Sequence, residues 1–391
     1  MKKNDYKKYC TGCGLCSSAE KCQLKMNEFG FYEPDLCSSD FEEFASKICP
    51  SSGIQSSLYD GSIWGKYKSV FLSYSQDENI RLKASSGGTI TSICSYLLEN
   101  NIVDGVLHCA RDEEKIIGTK VYLSTTSNDI INRCGSRYVD SSPLINIIEL
   151  LKEDKKYAFV GRPCDIDALK NYSLINKEVD KKIILTISFF CAGVPSFNAN
   201  KKLLEKLGTS IEECKKIDYR GNGWPGFATA ISANGKVSRI TYDESWGKVL
   251  GRDIRLICRF CMNGIGETAD ISCGDAWYIK DGKPSFEENK GRNITFCRTE
   301  IGEKIFNDAV RKKYVEKENC ESVDKYLEII QNYQYIRRAT LKSNISAMRL
   351  FRKSVPNYDK KVLKKYSKKT SIKIRLKRFI GTIKRIMKGK I

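Results

Sequence analysis

The apolar positions change period along the chain, and those changes mark its elements. Lys68–Tyr74 alternates apolar and polar residues, which predicts a half-buried strand. Ala84-Ser85-Ser86-Gly87-Gly88-Thr89 interrupts it, and Ile90, Ile93, Cys94, Leu97 and Leu98 follow at helical spacing. The same reading predicts strands over 103–110 and 157–160, a helix over 166–172 and an apolar strand over 182–190. Strands and helices in alternation predict a mixed or parallel sheet with helices packed on it. Apolar runs over 228–232 and 236–241 flank Asn234-Gly235, the signature of a hairpin with a two-residue turn. Near the end, Ile372, Leu376, Phe379, Ile380, Ile383, Ile386 and Met387 fall on one helical face, with Arg375, Lys377, Arg378, Lys384, Arg385 and Lys388 mostly around the rest. No internal repeat is present.

The expected architecture is α+β: a Cys-rich ferredoxin-like head over residues 1–60, a mixed α/β body over 61–150 and 151–335, and a basic helical tail over 336–391. At 391 residues with 41% hydrophobic content, the chain is long enough for two or more domains. Charge refines this picture. The net charge is +20, but residues 360–391 hold 14 Lys and Arg and no acid, so the remainder carries only +6. A basic amphipathic helix of this kind suits an anionic membrane surface. Nucleic acid would use the same charge with less need of the apolar stripe, so it is disfavoured, and a solvated, disordered tail is the remaining alternative. With no 18-residue apolar run and no signal-like h-region, the expected location is cytoplasmic, peripheral on the inner face of the membrane.

Seventeen cysteines in such a chain point to metal ligands and buried thiols, not to disulfides. Cys10, Cys13 and Cys16 form a C-x2-C-x2-C run, and Cys49-Pro50 follows. Three thiolates two residues apart wrap one face of a cubane cluster, and a distant Cys-Pro cysteine supplies the fourth ligand. One 4Fe–4S cluster therefore fits on Cys10, Cys13, Cys16 and Cys49, leaving Cys22 and Cys37 as relics or spare thiols. Zinc also uses C-x2-C pairs but usually brings two pairs or histidines, and the small residues Thr11, Gly12 and Gly14 inside the loop favour iron–sulfur. The single histidine, His108, lies in an apolar strand and reads as a hydrogen-bonded core residue, which disfavours catalysis by an imidazole base.

Ser85, Ser86, Gly87, Gly88 and Thr89 open a helix, offering N–H groups and the positive helix end to an anion, although a simple capping turn uses the same residues. Cys164 and Cys191 follow apolar strands at loops, and with the pair Cys258 and Cys261 they make a plausible second cubane site. Asp270 and Asp275 bracket a strand and read as structural. The loop Arg220-Gly221-Asn222-Gly223-Trp224-Pro225-Gly226 reads equally as a surface turn or as a cover for a bound ring.

Taken in order, Ala84-Ser85-Ser86-Gly87-Gly88, Gly135-Ser136-Arg137-Tyr138-Val139, Gly161-Arg162-Pro163-Cys164, Phe190-Cys191-Ala192-Gly193-Val194-Pro195-Ser196 and Cys258-x2-Cys261 leading to Ala269-Asp270-Ile271-Ser272-Cys273-Gly274-Asp275-Ala276-Trp277 resemble the successive blocks of the coenzyme F420 hydrogenase/dehydrogenase beta-subunit family. The resemblance implies an iron–sulfur flavoprotein oxidoreductase with two 4Fe–4S clusters and one FAD. Ser85–Thr89 and Ser136, Arg137 and Tyr138 would contact FAD, and Cys164, Cys191, Cys258 and Cys261 would hold the second cluster. A deazaflavin, a nicotinamide or a ferredoxin would be its redox partner. Two departures bear on that partner: the family's Gly-Thr-Pro-Cys-Gln is Gly161-Arg162-Pro163-Cys164-Asp165 here, and its Cys-His-Gly is Cys191-Ala192-Gly193. The expected role is electron transfer between FAD and clusters, acting in surface-polysaccharide metabolism. The alternatives are an electron-transfer subunit of a larger complex and a zinc-stabilised nucleic-acid-binding protein.

Overall fold

Continuous apolar runs become central parallel strands because both faces of such strands are covered. A computed structural model describes residues 3–53, 59–389 and 391. The head contributes an antiparallel ladder, β1 (Gln23–Met26) and β2 (Tyr32–Asp35). The body contributes β3 (Ser69–Ser75), β4 (Gly105–Arg111), β5 (Thr119–Ser124), β6 (Tyr157–Gly161), β7 (Ile183–Phe189), β8 (Cys214–Asp218), β9 (Ala228–Ser232), β10 (Val237–Ile240), β11 (Ile271–Asp275), the two-residue β12 (Ile279–Lys280) and β13 (Lys283–Pro284), β14 (Asn293–Cys297) and β15 (Val315–Asn319). One mixed sheet of eight strands runs β15-β3-β14-β11-β7-β6-β4-β5. Its centre, β11-β7-β6-β4, is parallel, and antiparallel pairs flank it on both sides. Strand β3 lies between β15 and β14, so the two halves of the body share one layer.

Helices Thr89–Glu99 and Glu300–Arg311 supply Ile93, Leu97, Ile305 and Phe306 to one core, together with Val106 and Ile187 of the sheet. A second core joins Ile166 and Leu169 of helix Pro163–Ser173 and Phe159 of β6 to Leu15 and Ile48 of the head. Each such fully buried side chain contributes about 1.5–3 kcal/mol, so the head is seated on the body and not tethered to it. Backbone bonds tie it further, with Leu144 N–H donating to Cys13 O at 2.8 Å and Phe197 N–H to Gly30 O at 2.8 Å.

Two expectations change in detail. In the β9–β10 hairpin Ser232 faces Lys236, leaving three residues in the turn instead of two. Gly235 takes the left-handed conformation (φ 83°) that ends such a turn, while Ala233 N–H is drawn away to Glu213 O at 2.7 Å. In the stretch read as tail, Ala339, Leu341, Ile345, Met348, Val362, Leu363 and Tyr366 enter the largest core cluster, so only helix Ile372–Met387 lies mainly outside it. Among the described residues no helix is long and apolar enough to cross a membrane.

His108 is buried in β4, its Nε2 2.9 Å from Ser124 Oγ, and burial lowers its pKa to about 4. The unfolded chain therefore takes up this proton first as pH falls below about 6.5. Stability contributed by the neutral ring is complete above that value and is lost progressively toward pH 4, by roughly 3 kcal/mol in all. Urea titrations of His108→Gln should show a flatter stability profile over that window than the parent chain.

Candidate functional site

The carboxyl ends of parallel strands are where open sheets present ligand sites, and here that edge gathers nearly every motif. Strand β3 ends at Ser75 and leads through Asp77, which caps helix Glu78–Lys83, to the Ser85–Thr89 loop, whose Gly87 O accepts from Ser75 N–H at 2.7 Å. Asn293 opens β14 at the same edge and donates to Ser86 Oγ at 3.0 Å. Asp275 closes β11, Phe190-Cys191 follows β7, and Arg162-Pro163-Cys164 follows β6. From β3 to β7 is three strand spacings, about 14 Å at ~4.8 Å each.

Gly88, at φ 78°, stands at the N-cap of helix Thr89–Glu99 and has no side chain of its own to cap it. Asn293 Oδ1 accepts from Thr89 N–H at 3.4 Å, so this end is capped in part and only the remaining first-turn N–H groups are available to an anion. Ser136 N–H donates to Ser85 Oγ at 2.6 Å, which joins the two segments expected to contact FAD. A methyl group added to Gly135 would meet only Ser85 Oγ, at 3.9 Å, so this flank of the loop is open. Thr89 is wholly buried, with its hydroxyl 3.0 Å from Ser73 Oγ and its N–H on Asn293 Oδ1. Arg137 is engaged by Ile217 O at 3.2 Å. The 220–226 loop is no surface turn: Arg220 and Trp224 are buried. Arg220 pairs with Asp275 at 3.0 Å and reaches Tyr138 Oη at 3.4 Å, while Trp224 Nε1 donates to Asp275 at 3.0 Å and its ring stacks on Trp277 with centroids 4.6 Å apart. The charge pair and the stacked, buried indoles of Trp224 and Trp277 form a rigid aromatic wall at this edge. Asp270, in contrast, accepts from Thr186 and Thr299 hydroxyls inside the sheet and is structural.

The cysteines form two groups. Cys13 lies within electrostatic reach of Cys10 and Cys49, and Cys16 of Cys13 and Cys49, and all four line one small cavity of about 30 Å³. Burial raises Cys10 and Cys13 to about 12, so these thiols need a cationic partner to become ligands. Cys164 lies within electrostatic reach of Cys191 and Cys258, and Cys191 of Cys258 and Cys261. Among the described residues no three Cys, His, Asp or Glu side chains converge on a point that would hold one ion. Cys22 lies against Cys16 and Cys37, so both spare thiols border the first group. Cys273 is buried, 3.4 Å from Thr295 Oγ1, as its strand position implied.

Buried arginines accompany both groups. Arg255 pairs with Asp140 and donates to Cys10 O at 3.2 Å. Arg162 pairs with Asp165 at 2.8 Å beside Cys164, and Arg337 donates to Cys191 O at 2.8 Å. Arg162 Nη1 and Arg337 Nε are buried without hydrogen-bond partners, which fits an anionic group among the second four cysteines. A cavity lined by Cys164, Cys261, Thr11, Pro50 and Tyr358 joins the two groups. Asp167 also lines it. Its carboxyl, pushed up to about 6 by burial, accepts from Thr268 at 2.6 Å and Asn263 at 3.0 Å. Sequence reasoning missed Asp140, Asp167, Arg337 and Tyr358. Only Asp167 carried a signal, one helical turn after Cys164.

Residues 70–149 match the N-terminal portion, and residues 154–323 the C-terminal portion, of the family described as "Coenzyme F420 hydrogenase/dehydrogenase, beta subunit". The coenzyme F420 hydrogenase subunit beta of Methanothermobacter thermautotrophicus is 24% identical over 73% of this chain and 96% of its own length. The F420-dependent formate dehydrogenase subunit beta of Methanocaldococcus jannaschii is 27% identical over 61% of this chain, which spans only 59% of that relative. The coenzyme F420-dependent sulfite reductase of the same organism is 24% identical over 82% of this chain and 48% of its own length. A chain of the F420-reducing [NiFe] hydrogenase complex from Methanosarcina barkeri shares the fold, with a TM-score of 0.60 at 23% identity, covering 77% of this chain and 99% of that one.

Proposed function

Because the chain belongs to the coenzyme F420 hydrogenase/dehydrogenase beta-subunit family, we propose that it is an iron–sulfur flavoprotein oxidoreductase carrying electrons between an FAD and two 4Fe–4S clusters. The FAD is assigned to Ser85–Thr89 and Ser136–Tyr138, one cluster to Cys164, Cys191, Cys258 and Cys261, and the other to Cys10, Cys13, Cys16 and Cys49. The observation that carries this reading is their order: glycine loop, Asp275, Cys191 and Cys164 succeed one another along one sheet edge, and the cavity at Cys164 and Cys261 continues to Thr11 and Pro50 of the head. A bound flavin exchanges two electrons as hydride and a cubane exchanges one, so together they convert between the two kinds of traffic.

The chain's own residues supply the surroundings. Arg162, Arg255 and Arg337 bring positive charge to otherwise buried thiolates, and Tyr358, half-buried beside Cys49 and Cys261, narrows the space between the two groups. Arg220 and Asp275 give the ring site a fixed charge pair. The head and the basic C-terminal helix lie outside the matched region, so the first cluster rests on its own motif. Relatives named for a hydrogenase, a formate dehydrogenase and a sulfite reductase share this portion. That favours an electron-transfer part whose hydride carrier, a deazaflavin or a nicotinamide, or whose ferredoxin partner is recognised at the aromatic wall. As substrate class we keep the one expected from the sequence, a membrane-associated sugar intermediate of surface-polysaccharide assembly, for which the basic C-terminal helix supports only the membrane association.

Metal and flavin analysis of anaerobically purified protein tests this. About eight irons and one FAD per chain are expected. Cys191→Ser should retain FAD and fall to about four irons. Zinc in place of iron, with no flavin, would sink the proposal and favour the zinc-stabilised alternative.

A further inference from the structure

Helix Ile372–Met387 buries only part of the apolar stripe seen in its sequence. Ser371 caps it, accepting from Ile374 N–H at 3.3 Å. Thr382 is buried and donates to Asn344 of helix Asn332–Leu350 at 3.2 Å. Ile386 packs against the main core, and Phe379 and Ile383 are half-buried. Ile372, Leu376, Ile380 and Met387 are 74%, 55%, 43% and 75% exposed. At 3.6 residues per turn these four fall within an arc of about 80°, and Lys373, Lys377, Lys384 and Lys388 occupy the next ~60°. Those four lysines are exposed, and among the described residues no cation from 360 onward has a carboxylate partner within ion-pair distance.

We infer that this face is a docking surface for an anionic lipid bilayer, lying parallel to it with Ile372, Leu376, Ile380 and Met387 in the headgroup boundary and the lysines at the phosphates. Charge and shape select that occupant. A second copy meeting the same face would bring unpaired lysines against lysines. Nucleic acid would satisfy the lysines yet leave the aliphatic ridge in water. An anionic bilayer covers both at once.

Co-sedimentation of the full-length, cofactor-loaded protein with vesicles of phosphatidylcholine plus phosphatidylglycerol, and of phosphatidylcholine alone, tests the inference. Binding to the anionic vesicles is expected to be at least about tenfold tighter than to neutral ones and to weaken with salt. Leu376→Glu/Ile380→Glu should reduce it by at least about tenfold with unchanged iron and flavin content. Lys373→Gln/Lys377→Gln provides a second variant on exposed residues. Equal binding to both vesicle types, anionic binding that neither variant alters, or absence of vesicle binding at low salt overturns the inference. So does a dimer that the glutamate variant dissolves, or RNA capture that outcompetes the vesicles.

Discussion

Asp140→Asn should cost about 3–5 kcal/mol of stability, the usual consequence of removing one partner from a buried ion pair. Asp140 is almost fully buried. Its carboxylate accepts from Arg255 Nε at 3.1 Å and from Tyr32 N–H at 2.7 Å, and Arg162 Nη1 stands 3.9 Å away. Neutralising it strands one cation at the first cysteine group and weakens the surroundings of another at the second. The head is held partly through this point, since Arg255 also donates to the carbonyls of Tyr32 (2.7 Å) and Cys10 (3.2 Å). Urea denaturation of the loaded protein, with iron determined alongside, reads both consequences. A loss below about 1 kcal/mol, in the range of an exposed pair, would show that water reaches Asp140.

Arg338→Met should be comparably severe, again about 3–5 kcal/mol. Arg338 is wholly buried between Glu267, Tyr366 Oη and the carbonyl of Ile63, and ties the C-terminal helices to the body. Methionine fills much of the volume but leaves the Glu267 carboxylate buried and unpaired. Adding Glu267→Gln should recover part of the loss, because the stranded charge is then gone. A double variant no more stable than Arg338→Met alone would assign the cost to packing. Arg337 sits on the same turn and donates to Cys191 O, so loosening this helix should also disturb the second cysteine group.

These pairs mark where the sequence stops being legible. Arg338 and Glu267 are 71 residues apart, and Asp140 and Arg255 are 115 apart. No spacing rule links such partners, and each alone reads as a surface charge. The strands of the sheet were legible because their burial writes itself as an apolar run or an alternation, and Tyr157–Gly161 and Ile183–Phe189 lie within a residue of the expected bounds. The cysteine motifs were legible as spacings, but only the fold brings Cys164 beside Thr11. The terminal stripe was read as one face, yet the neighbouring helix takes only Phe379, Thr382, Ile383 and Ile386, a division that periodicity alone cannot draw.

The segment that closes the space between the two cysteine groups comes from late in the chain. Tyr9 Oη donates to Ser354 O at 2.5 Å, Asn357 N–H to Ser51 O at 3.2 Å, and Tyr358 lines the shared cavity. During synthesis, Cys10, Cys13 and Cys16 leave the ribosome about 340 residues before this cover exists, an interval of about 17–70 s at 5–20 residues per second. Iron delivery to the nascent head has that window, and so does any oxidant present in the cell.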